Sequence, residues 1–316
     1  AGLAANNIKY IVAIAKYGSI NHAAKAMFIS QPQLSHILKI TEEECGLTLF
    51  QRTSRGTRLT PEGEDYLHHC EIILAEMAKL NHYVTQTASA QSRLKVSMTR
   101  FSHISECFNE VCRRHQADSS IHYHLYEASA SNVLNDVVEG KSDIGILHFS
   151  TTNQEMTLQG FADKKLSFTP LATFRPYVCL AENHPVLQGK VPAAIDIREL
   201  KDYGFVRYAG QYEDFIYHIA SDSGLIDLNE SQKIIYVCDR QEQMRLIQAT
   251  TFYTIGIAAF SDQSKLYQVI SVPILKSSEH LAFGIITRKD TVLSPLEQEF
   301  KEEVIHKYRT LAKTVD

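Results

Sequence analysis

The sequence predicts an α/β multidomain chain: an N-terminal winged helix-turn-helix, a long linker helix and a C-terminal body of alternating strands and helices. Three observations carry this. An Ala-Ala pair (23, 24) is followed by Ser30-Gln31-Pro32 and a loop holding three arginines. A 4-3-4-3-4 apolar spacing runs from Tyr66 to Val84. From Leu94 onward short apolar runs alternate with helical patterns to the end of the chain. The implied divisions are 1–60, 61–92 and 93–316.

In the head, Ile8, Ile11, Val12 and Ala15 recur at helical spacing and give a first core helix. Ser19 can cap a second, with Ala23, Ala24 and Met27 on its packing face. Ser30 is the N-cap expected for a third, and Pro32 sits in its first turn, where a missing N–H costs nothing. On this third helix Leu34 and Leu38 face inward. Gln31, Gln33, Ser35, His36 and Lys39 are left on the outer side. Gln reads adenine with two hydrogen bonds, Ser serves several base edges, and Pro meets a thymine methyl. Gly46 ends the helix. Arg52, Arg55 and Arg58 then surround Gly56 in a tight β-wing suited to phosphates or a narrow minor groove. Residues 1–60 carry seven Lys and Arg against three Glu, a formal +4, whereas the whole chain is −4. Phosphate attraction is therefore concentrated in the head, on a body of −8.

Next comes one long helix with a narrow seam of Tyr66, Cys70, Ile73, Met77, Leu80 and Val84. A heptad seam of this width packs against one partner helix, so self-association through a homodimer is expected. The polar run TQTASAQSR marks a hinge. The body then reads as strands at LKVSMT, IHYHLYEA, DIGILHF, LSFTPLATFRPYVCLA, KIIYVCD, GIAAF and HLAFGIITR. Helices are expected at SHISECFNEVCRRH, SNVLNDVVEG, near 213–221, at QEQMRLIQATT and at the C-terminal LSPLEQEFKEEVIHKYRTLA. Ligands of open α/β sheets sit beyond the carboxyl ends of the strands.

Other classes lose ground on composition. No run of about 18 apolar residues appears, so a membrane span is not expected. The first residues lack the charged and apolar regions of a signal peptide, and the six cysteines have no C-x-x-C spacing. A reducing cytoplasm is the expected compartment. His122 and His124 share a strand face without a third ligand, so no metal is expected. No catalytic or nucleotide-binding motif is present, so neither an enzyme nor a cofactor is expected.

The head resembles the LysR-type transcriptional regulators. The resemblance rests on the Ala-Ala pair, Ser30-Gln31-Pro32, Ser35, Glu42, Gly46, Leu49-Phe50-x-Arg52, Arg55-Gly56 and Leu59-Thr60-x-x-Gly63. It extends more weakly over the body through Glu127, Gly140 with Asp143-Ile144-Gly145-Ile146, His184-Pro185 and Gly256-Ile257-Ala258. It implies a regulator that binds promoter DNA as a homodimer or homotetramer and responds to a small molecule. It also implies two periplasmic-binding-protein-like subdomains, 93–162 with 269–316 and 163–268, with the effector between them. Thr99, Arg100, Ser102, Ser129, Ser131, His148, Arg207, Tyr208 and Thr254 stand at or just past strand ends and are the candidate effector residues. Family resemblance points most firmly to Ser129. Hydroxyls with two arginines suit a small carboxylate. Two other readings remain: a thiol redox sensor using Cys179 or Cys238, and a small-molecule binding protein whose head no longer binds DNA.

Overall fold

The computed structural model describes residues 7–54, 56–87, 92–209, 218–221, 224–260 and 263–314. It divides into two compact units, one ending at Thr87 and the other beginning at Ala88. None of its described helices is long and apolar enough to cross a membrane.

In the first unit, α1 (Ile8–Tyr17), α2 (Ile20–Met27) and α3 (Gln31–Cys45) pack around Ile11, Ile14, Ala23, Ala24, Leu34 and Leu38. Ser19 Oγ accepts from His22 N at 3.3 Å and Ser30 Oγ from Gln33 N at 3.2 Å, so each cap forms as its residue type requires. Thr41 is buried with its hydroxyl donating to Ile37 O at 2.8 Å. That bond removes the cost of burying it.

The strands β1 (Phe50–Thr53) and β2 (Gly56–Leu59) form the antiparallel wing, with Gln51 opposite Arg58 and Arg52 opposite Thr57. Gly56 has φ +126°, and a Cβ there would lie 2.4 Å from Gly18 O. Thr57 N–H donates to that same carbonyl at 2.8 Å, which moors the wing to the end of α1. Only glycine permits this approach.

The linker helix α4 (Pro61–Thr87) starts from Thr60, whose hydroxyl accepts from Gly63 N at 2.9 Å and donates to Thr48 O at 2.6 Å. Its apolar seam divides. Cys70 is buried and Tyr66 packs on the head's own core, whereas Ile73, Met77 and Leu80 are 42%, 43% and 61% exposed. The side chain of Val84 lies outside the described residues.

The second unit holds two sheets. The first uses β3 (Arg93–Met98), β4 (His122–Glu127), β5 (Ile144–Ser150), β6 (Leu166–Phe174) and β14 (Leu281–Arg288), in the order β4-β3-β5-β14-β6. The second contains β7 (Tyr177–Ala181), β8 (Phe205–Tyr208), β11 (Ile234–Val237), β12 (Thr254–Gly256) and β13 (Val269–Pro273). There β11-β8 and β12-β7-β13 are joined by a parallel bridge from Phe205 to Tyr253. Both sheets thus run second-first-third in parallel, then take a late or early strand in reverse. Helices α5 (Ser102–His115), α6 (Ala130–Val138), α7 (Gln154–Asp163), α8 (Arg240–Ala249), the short α9 (Gln263–Leu266) and α10 (Pro295–Ala312) complete the unit with the hairpin β9 (His218–Ser221) and β10 (Gly224–Asp227).

Two expectations are corrected here. The crossings between subdomains were placed near 163 and 268, but β6 pairs with β14 of the first sheet along its length, and β13 pairs with β7 of the second. The chain therefore crosses at 175–176 and returns after 273. LSFTPLATFRPYVCLA reads as one β run because the break at Arg175-Pro176 has no Gly or loop-like stretch to mark it. The helix expected near 213–221 is also replaced: His218–Ser221 is a strand paired with Gly224–Asp227, and 210–217 lie outside the described residues.

A buried charge cluster ties the ends of the first sheet to α10. Asp143 pairs with Arg93 at 3.1 Å and with Arg288 at 2.7 Å, and Arg93 reaches Glu297 at 3.4 Å. Burial, with the Asp143 carboxylate beside it, raises the Glu297 pKa from 4.5 to about 8.

Two outcomes are expected. Gly56→Ala destabilises the head by about 2 kcal/mol, read as faster hydrogen exchange over 8–60 in the full chain with unchanged protection over 93–312; equal protection in both regions would contradict the mooring. For Glu297, the unfolded chain ionises above pH 4.5 while the folded one stays protonated, so stability falls as pH rises to about 8 and then levels. Glu297→Gln should remove that slope and raise Tm at pH 8 by on the order of several degrees, with no gain at pH 4.

Candidate DNA interface and ligand seam

In the first half of α3 the exposed residues are Gln31, Pro32, Gln33, His36 and Lys39, with Ser30 and Ser35 partly covered. These are the N-terminal half of the helix, the part that enters a major groove in helix-turn-helix proteins. Gln31 Nε2 donates to Ser35 Oγ at 3.1 Å, one turn on, which steadies an otherwise mobile side chain. Lys39 lies 3.7 Å from Glu43, both well exposed, a pair that costs little to exchange for phosphate. Between α3 and the wing lies a 390 Å³ groove lined by Ser35, His36, Lys39, Glu42, Arg52 and Thr57 among others. Arg52 and Arg58 are exposed on the wing strands. Arg55 lies outside the described residues.

Glu42 is the residue whose purpose the sequence left unexplained. Its Oε1 accepts from Leu49 N at 2.7 Å and Phe50 N at 3.2 Å, fixing the chain where it turns from α3 into the wing.

In the second unit the candidate residues gather at the carboxyl ends of both sheets. Thr99, just past β3, is buried and its hydroxyl meets His148 Nδ1 at 3.2 Å. The His148 ring lies edge-on to Phe101 at 5.2 Å. Ser129 caps α6 by accepting from Asn132 N at 3.3 Å, and its hydroxyl lies 2.9 Å from that of Ser131. Ser102 opens α5.

Across from these, Tyr208 ends β8, and the Arg100 guanidinium lies over its ring at 4.5 Å. Arg100 belongs to the first sheet and Tyr208 to the second, so this contact spans the two subdomains. Arg100 Nη1 is buried without a hydrogen-bond partner among the described residues. Tyr208 Oη donates to Gln243 Oε1 at 3.0 Å, Gln243 Nε2 to Thr254 Oγ1 at 3.3 Å, and Thr254 Oγ1 to Val206 O at 2.8 Å.

Arg207 does not join Arg100. Neighbours in a strand point to opposite faces, and Arg207 lies buried over the ring of Tyr236 at 5.7 Å. The structure therefore brings together Thr99 with His148, Ser129 with Ser131, and Arg100 with Tyr208, which Gln243 links to Thr254, and separates the two arginines. Sequence reasoning missed Gln243, one of three glutamines in RQEQMRLIQA, which only tertiary packing distinguishes.

Cys179 is buried, its Sγ 3.5 Å from Ser271 Oγ, and burial pushes its thiol up. A redox sensor needs the reverse, an accessible thiol of low pKa.

Residues 5–64 match the model of the bacterial regulatory helix-turn-helix protein, lysR family, and residues 87–309 match the LysR substrate binding domain. The chain is 28% identical over 66% of its length to the HTH-type transcriptional regulator AlsR of Bacillus subtilis, covering 67% of that protein. It is 23% identical to BenM of Acinetobacter baylyi, covering 85% of this chain and 84% of that one. Full-length BenM in the crystal has 22% identity and a TM-score of 0.49, over 98% of this chain and 97% of that one. With both family models matched in order, this chain belongs to the LysR family of DNA-binding transcriptional regulators and is not an enzyme.

Proposed function

We propose that this regulator reads a partly palindromic promoter site as a dimer and that a small anionic effector, a carboxylate in the simplest case, binds where the two sheets of its second unit face each other. The observation carrying the anion is the buried, unpartnered Nη1 of Arg100, which follows the buried Thr99 past the end of β3, where Ala128 N–H, just ahead of α6, donates to Met98 O. A buried guanidinium N–H without an acceptor is costly, and a carboxylate supplies two acceptors in its plane. The N-terminus of α6, capped by Ser129, adds a positive dipole end. The dimer rests on Ile73, Met77 and Leu80, three exposed apolar side chains at heptad spacing on α4. Pairing of these helices through a two-fold axis places two heads on successive half-sites, and tetramers follow by pairing dimers.

In the head the expected division of labour is that α3 specifies and the wing holds. Gln31→Ala relaxes base preference at one position, whereas Arg52→Ala or Arg58→Ala weakens binding to all sequences alike and lowers the salt slope by about 1 per arginine. Fluorescence anisotropy against operator and scrambled duplexes at several salt concentrations checks this; equal effects of all three on every duplex would contradict it. Met77→Asp with Leu80→Asp should shift the protein toward monomer in sedimentation equilibrium and weaken operator binding. A dimer that persists unchanged would remove α4 as the interface. For the effector, calorimetric titration of the full chain with small acids should give binding that Arg100→Ala weakens by at least about tenfold, and equal binding by both would remove Arg100 as the anion's partner.

A further inference from the structure

We infer that Tyr208 and Gln243 position Arg100 for the effector anion and make its capture depend on closure of the two subdomains. This rests on the anionic reading of the seam and adds to it the residues that set its affinity. A guanidinium stacked flat on an aromatic ring has its face occupied and its N–H edges free, and the edge is the part that binds a carboxylate with two parallel hydrogen bonds. The Arg100 carbon stands 4.5 Å from the Tyr208 ring centre, and its Nη1 is the buried atom without an acceptor. The contact restrains a side chain that is otherwise free to sample many rotamers.

The ring is fixed in its turn. Its hydroxyl donates to Gln243, which donates to Thr254, which donates to the Val206 carbonyl two residues before Tyr208 on the same strand. This closed loop lies wholly within the second subdomain, with Gln243 and Thr254 both buried. Arg100 extends from the first. Opening the seam therefore takes Arg100 off its platform, and the anion is held best by the closed form, which is the differential affinity that a ligand-driven closure requires. Tyr208 and Gln243 act here as positioning residues; Arg100 is the group that meets the anion.

The test is isothermal titration of the full-length protein with acetate, succinate and benzoate at up to millimolar concentration, for wild type, Arg100→Gln, Tyr208→Phe, Tyr208→Leu, Gln243→Leu and the double variant Arg100→Gln/Tyr208→Leu. Tyr208→Phe keeps the ring and should stay within about threefold of wild type, while Tyr208→Leu should lose about tenfold. Gln243→Leu keeps the ring but unties it, and should fall between. In the Arg100→Gln background Tyr208→Leu should cost nothing further, a non-additivity that a merely structural role would not produce. Binding by wild type with Tyr208→Leu and Gln243→Leu unchanged overturns the positioning role and leaves the anion reading standing. Equal losses from Tyr208→Leu with and without Arg100 also overturn it. If none of the three acids binds wild type, the anion reading and this inference fall together.

Discussion

The peptide groups of Leu49 hold the three working parts of the head together. Its N–H donates to Glu42 of the recognition helix, and its carbonyl accepts from both the backbone and the hydroxyl of Thr60, the residue that starts the linker helix. Leu49 itself is fully buried, and the wing begins at the next residue. Gly63 belongs to the same knot, since a Cβ there would lie 2.0 Å from the Leu49 carbonyl oxygen. Helix, wing and linker therefore keep fixed angles to one another. A half-site on DNA presents groove and backbone at fixed spacing, so a head with any of these joints loose would lose contacts at one end as it gained them at the other.

The same residues explain what could be read from sequence alone. Caps, glycines and apolar periodicity are local, and Ser19, Ser30, Gly56 and Thr60 each serve the purpose their type announces. The strand–helix alternation pointed to open α/β sheets and the family resemblance to two subdomains, but neither marked where the chain passes between sheets, because strand pairing is a property of distant partners. Helix α7 escaped notice since only Phe161 on it is buried, leaving no apolar stripe to detect. The linker seam was legible as a stripe. Its division between a part covered by the chain's own head and a part left bare was not, because heptad spacing says that a surface will be buried and not by what.

In the ligand seam the pattern is sharper. Period-two alternation already forbids Arg207 and Tyr208 from facing the same way, so a clamp built from Arg100 and Arg207 together was the weaker choice on strand geometry alone. Gln243 carries no such local mark. Its value comes from lying between Tyr208 and Thr254, which are 35 and 11 residues away. Polar chains of this kind are the part of a site that sequence hides best, because each member is an ordinary surface residue until the fold buries it.

The chain passes between the two sheets at two segments, and these lie side by side. Ile274 N–H donates to the Pro176 carbonyl, and Arg175 Nη2 donates to the Ile274 carbonyl. Beside them stands a packed ring cluster of Phe174, Phe260, Phe283, Tyr308 and His103. His103 Nε2 lies 2.8 Å from the Tyr308 hydroxyl, and burial holds its pKa near 3, so no charge enters this cluster at neutral pH. The strands themselves cannot slide, because β3 is paired on both sides. In the proposed closure a change at Arg100 acts by turning one sheet against the other about the paired segments. The stack it would make or break is worth about 1–2 kcal/mol when desolvated, the same size as the coupling free energies by which effectors ordinarily shift two-state regulators. A single cross-seam contact is therefore large enough to bias the proposed closure.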